Sequence, residues 1–89
     1  MNERRVFYRA IAAMDRVLEH WALVEQEPGA VQELSAKAEA FEASLVAFLE
    51  SPEAQANGAE AAKRRRTAER TLSKIAKFRA KVAGQERPV

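Results

Sequence analysis

The chain has 89 residues, no cysteine, one histidine and three glycines, and its 15 Lys and Arg against 13 Asp and Glu leave a net charge of +2. A chain this short holds at most one domain and buries only about 60% of the surface its unfolded form exposes. Without cysteine there is neither a disulfide framework nor a thiolate zinc site, and so few histidines and glycines remove most catalytic and phosphate-cradling templates.

Strand signals are absent. Alanine, glutamate, leucine, arginine and lysine dominate, and turn residues cluster at Glu27-Pro28-Gly29, at Ser51-Pro52 through Asn57-Gly58, and at Gly84 with Pro88. The expected fold is therefore all-α, an antiparallel three-helix bundle in one domain. The alternative is a long helical hairpin completed by dimerisation.

Helix 1 is expected over about residues 3–26. Phe7, Ile11, Met14, Leu18 and Trp21 recur at steps of four and three, with Val6, Ala10, Val17 and Val24 beside them. At 100° per residue these positions fall within an arc of about 140°, one buried face. Arg5, Arg9, Arg16 and Glu19 lie opposite. Tyr8 and Leu23 point away from the main stripe, toward a partner or the third helix.

Helix 2 is expected over about residues 30–50. Val31, Leu34, Ala38, Phe41, Leu45 and Phe48 form an unbroken heptad seam. Opposite them Ala36, Ala40, Ala43 and Ala47 form a second stripe, where small residues let another helix approach closely. That neighbour would belong to this chain or to a second subunit, making a homo-oligomer. Ser51 and Pro52 either stop helix 2 or start a new turn, with Ser51 as its N-cap.

Helix 3 is expected over about residues 59–83, leaving 84–89 as a flexible tail. Ala68, Leu72, Ile75 and Val82 are its expected core face, with Phe78 at the rim. Charge is segregated: residues 60–89 hold ten Lys or Arg against three Glu, and residues 1–59 hold five against ten acids. Lys63, Arg66, Arg70, Lys74, Lys77 and Lys81 project onto an arc of about 80°, a cationic line expected to face solvent. Between Ala59 and Arg70 no apolar side chain exceeds alanine, and Lys63-Arg64-Arg65-Arg66 circles the helix. That segment has nothing bulky with which to dock, so an external anion or acidic partner surface is the expected counterpart. Arg65 and Arg79 fall on the nominal core face, where their stems would lie on the core and their guanidiniums stay wet; the alternative is a buried pair with a glutamate from helix 1 or 2.

Catalytic chemistry finds no support. His20, the sole imidazole, has Arg16, Val17, Leu23 and Val24 at i±3 and i±4, so no helical metal site forms around it. The serines and threonines lack a nucleophile-elbow context. No enzyme activity, cofactor or metal is expected.

Two function classes remain. The leading expectation is a protein-interaction module, an adaptor, assembly factor or inhibitor, that docks on an acidic protein partner through Lys63, Arg64, Arg65, Arg66, Arg70, Lys74, Lys77 and Lys81. The alternative is a nucleic-acid accessory protein touching phosphates through the same helix, without base reading. The N-terminal apolar stretch is broken by Arg9 and Asp15, and no apolar run approaches the ~18 residues of a membrane span. A cytoplasmic location is expected, and the alanine- and arginine-rich composition suggests a bacterial or phage gene.

Overall fold

The structure is a computed structural model that describes residues 3–21, 27 and 29–86. Among the described residues four helices follow in chain order: α1 Glu3–Glu19, α2 Ala30–Glu50, α3 Pro52–Gln55 and α4 Ala59–Glu86. Among the described residues there is no strand. The all-helical expectation is met. Trp21 is again helical, while the expected continuation of helix 1 through Leu23 and Val24 to Gln26 lies outside the described residues.

The turn chemistry explains the breaks. Gly29 precedes α2 at φ 81°, ψ −13°, a left-handed conformation that glycine adopts without steric cost. Its carbonyl accepts from Glu33 N at 3.1 Å. At the far end Ser51 does both tasks read from the sequence. Its backbone N–H donates to Phe48 O at 2.9 Å, closing α2, and its hydroxyl oxygen accepts from Ala54 N at 3.3 Å, capping α3. Pro52 takes the first position of α3, where its missing N–H costs nothing. Gly58, at φ 127°, then turns the chain into α4.

The expected end of helix 3 at Ala83 is corrected. Gly84 is helical and α4 runs on to Glu86, so the first half of the expected tail belongs to the helix. A glycine there weakens a helix by about 1 kcal/mol relative to alanine without ending it. Residues 87–89 lie outside the described residues.

The long α4 touches each of the other three helices. It runs alongside α1 in the same direction, since Tyr8 meets Glu60, Asp15 meets Thr71 and Trp21 meets Phe78. It runs against α2, where Glu42 meets Arg79 and Ser35 shares a hollow with Ala83. Phe7 and Phe48 join α1 to α2 with ring centroids 4.8 Å apart. Farther along, an open hollow of about 500 Å³ separates Met14 and Val17 from Leu34 and Phe41.

The core joins Ile11 and Leu18 of α1, Leu34, Ala38 and Leu45 of α2, and Ala68, Ile75, Phe78 and Val82 of α4. The buried side of α4 is rotated from the expected one. Phe78, expected at the rim, is 3% exposed, whereas Leu72 is half-buried. The buried seam reads Ala68, Thr71, Ile75, Phe78, Val82, and Thr71 is its one polar member.

Candidate interaction surface on the C-terminal helix

The eight cations expected to act together divide into two groups. Four are engaged inside the chain. Arg65, whose position on the nominal core face looked anomalous, donates from Nη1 to the carbonyl oxygen of Ala54 and, at 3.2 Å, to that of Ala56. These carbonyls sit at the end of α3, so the guanidinium supplies the cap that a helix C-terminus lacks, where positive charge is favoured. Arg64 lies over Phe7, with its guanidinium carbon 5.9 Å from the ring centroid, and its Nε is 3.8 Å from Glu60 Oε1. Lys63 is exposed but places its ammonium 5.4 Å from the centre of the Tyr8 ring. With no bulky apolar side chain of its own, this stretch meets the rest of the chain through the guanidiniums of Arg64 and Arg65, on α1 and at the end of α3, and through the fully buried Ala68.

Lys74 is the fourth. Expected to face solvent with the rest of the line, it instead turns toward α1, 3.0 Å from Glu19 Oε1 and 3.5 Å from Asp15 Oδ2. The hydrogen bond with Glu19 raises the Lys74 pKa above its usual value, with the Asp15 charge acting in the same direction. The same hydrogen bond, followed by the attraction of the ammonium, holds Glu19 below the usual carboxylate value. Thr71, unexposed, donates to Asp15 Oδ1 at 3.0 Å and ties the group to the core.

The other four remain outward. Arg66, Arg70, Lys77 and Lys81 are exposed and have no ion-pair partner among the described residues. From Arg66 to Lys81 they span about 22 Å of helix at 1.5 Å per residue. On α1, Arg9 and Arg16 each follow by one position a residue that faces α4, Tyr8 and Asp15, so they lie about 100° farther round that helix. Both are exposed, and they widen the basic side of the molecule.

Where α1 and α4 meet, Leu18, Trp21 and Phe78 floor a hollow of about 160 Å³. Trp21 and Phe78 meet edge to face, 5.8 Å between centroids. Lys74, Lys77 and Lys81 stand around this floor, with Glu19 beside Lys74. The sequence puts the lysines on a solvent line, Trp21 on the buried face of helix 1 and Phe78 at the rim of the core, without bringing Trp21 to that line. The signal that joins them is Phe78 following Lys77 by one residue.

The remaining expectations resolve simply. Arg79 reaches Glu42 Oε1 at 2.9 Å, a pair with α2 that is exposed rather than buried. Ala36, Ala40, Ala43 and Ala47 are all exposed, so no helix among the described residues covers that stripe. Tyr8 turns to α4, its hydroxyl 3.4 Å from Glu60 Oε1. His20 is exposed, with Nδ1 donating to Arg16 O at 2.9 Å. Among the described residues no group of three or more His, Cys, Asp or Glu is placed to hold a metal ion, and no helix is long and apolar enough to cross a membrane. No protein-family model matches the chain, and neither the curated proteins nor the solved structures contain a match to it.

Proposed function

We propose that the chain is an antiparallel three-helix bundle serving as a non-catalytic protein-interaction module, which docks on an acidic surface of a larger complex through α4. The observation that supports this reading is the outward row of Arg66, Arg70, Lys77 and Lys81, with no ion-pair partner among the described residues. Arg66 with Arg70 and Lys77 with Lys81 are like-charge pairs at i,i+4, each destabilising the helix by a few tenths of a kcal/mol. An acidic partner removes that repulsion. The apolar hollow beside Lys77 and Lys81 adds a contact of the kind protein interfaces use, a desolvated pocket within a charged surround.

A second reading rests on Arg9 and Arg16. They extend the basic side onto α1, so a phosphate backbone meets cations from two helices. Such binding carries no sequence information, since contacts to phosphate oxygens read no base edge.

Fluorescence anisotropy separates the two. Labelled poly-glutamate and a short labelled DNA duplex are titrated with wild type and with Arg66→Glu/Arg70→Glu. The proposed function expects saturable binding of the acidic polypeptide, weakened in the variant. Binding of duplex alone, with a steep fall in affinity as salt rises, selects the phosphate reading and overturns the first.

A further inference from the structure

We infer that the hollow between α1 and α4 is a binding pocket for one apolar side chain flanked by carboxylates in an acidic protein partner. This inference rests on the proposed function and names the feature of the partner that the basic surface reads.

Three properties of the hollow support it. Its floor is apolar: Phe78 and Leu18 are buried in the core, and Trp21 packs edge to face on Phe78. Its size, about 160 Å³, matches the roughly 150 Å³ that admits a benzene ring in an engineered protein cavity. That is room for one leucine or phenylalanine side chain.

Its rim is cationic and asymmetric. Lys74 is held by Glu19 and Asp15, so its charge is largely answered from within the chain. Lys77 and Lys81, one turn apart, are exposed and have no such answer among the described residues. An occupant that buries an apolar side chain on the aromatic floor brings its neighbouring residues over these two ammonium groups. Carboxylates fit there and cations do not.

Trp21 is the only tryptophan, so its emission reports directly on the pocket. The probes are two capped peptides, each with three glutamates on either side of a central residue, which is leucine in one and glutamine in the other. Both are titrated into wild type, Lys77→Glu/Lys81→Glu and Arg66→Glu/Arg70→Glu, with a DNA duplex as a third ligand. Circular dichroism verifies that each variant is folded, which the exposure of all four side chains favours.

The leucine peptide is expected to shift Trp21 emission and to bind about tenfold tighter than the glutamine peptide. Lys77→Glu/Lys81→Glu should abolish the shift, while Arg66→Glu/Arg70→Glu weakens both peptides and keeps their ratio. Equal binding of the two peptides with unchanged emission overturns the pocket and leaves the proposed function standing. Failure of both peptides overturns the pocket and the proposed function together, and binding of duplex in that case assigns the surface to phosphate.

Discussion

Replacing Thr71 with valine tests whether the junction of α1 and α4 depends on a buried hydroxyl. Thr71 has 0% exposure and donates to Asp15 Oδ1 at 3.0 Å. Valine keeps the shape of the side chain, so no cavity opens, but the carboxylate loses its donor from the core. A hydrogen bond to a charged group contributes about 1.5–3 kcal/mol. Asp15 retains Lys74 at 3.5 Å and some access to water, its side chain being 23% exposed, which places the loss at the low end. Removing the buried hydroxyl also returns its desolvation cost, leaving a net loss of about 1 kcal/mol. For a domain of this size that lowers Tm by about 4–8 °C. Urea denaturation followed at 222 nm measures the change. A double-mutant cycle with Asp15→Ala should show a coupling of about 1 kcal/mol, and Thr71→Ser should remain coupled. Refutation takes either of two forms: Thr71→Val as stable as wild type, or effects at Thr71 and Asp15 that simply add.

The Lys74–Glu19 pair predicts how stability depends on pH. Glu19 is held below the usual carboxylate value of 4.5, so its contribution is present above that pH and lost as pH falls through the folded value. Lys74 is raised above 10.5, so its contribution is present below that pH and lost as pH rises through the folded value. Lys74→Met should flatten both flanks of a thermal-melting profile measured from pH 3 to 11. At the short helix, Ser51→Ala should cost about 1 kcal/mol through loss of the N-cap. Arg65→Met should raise hydrogen exchange across residues 52–58, where wild-type Arg65 closes the carbonyl end. Gly29→Ala forces a side chain to φ 81° and should cost about 1 kcal/mol in thermal unfolding, even though open space surrounds the position.

The seams of α1 and α2 were legible because their large apolar residues recur at helical spacing, and the buried Ile11, Leu18, Leu34 and Leu45 all lie on them. Ser51-Pro52 was legible as local chemistry, since hydroxyl and proline act within one turn. The buried side of α4 was read too far round because Leu72 is the large residue there and drew the stripe toward itself. The spacing of Ala68, Thr71, Ile75, Phe78 and Val82, at steps of three and four, held the better answer. A single threonine in that row marks a polar contact across the core.

The fate of individual cations was not legible. Lys74 and Lys77 are the same residue type on the same line, yet one meets α1 and the other meets solvent. Which edge of a helix meets a neighbour depends on tertiary rotation, and about 60° of turn separates these two lysines. Arg65 depended on α3 folding back to bring Ala54 and Ala56 to it. Nothing in the spacing of α4 carries that information.

The claim that the outward cations of α4 meet an acidic partner is tested most directly by ¹H–¹⁵N NMR, titrating the labelled chain with poly-glutamate at about 0.15 M salt. The largest shifts are expected at Arg66, Arg70, Lys77 and Lys81, with the exposed alanines of α2 unchanged. Shifts centred on Ala36, Ala40, Ala43 and Ala47, or no shifts at millimolar ligand, would contradict it.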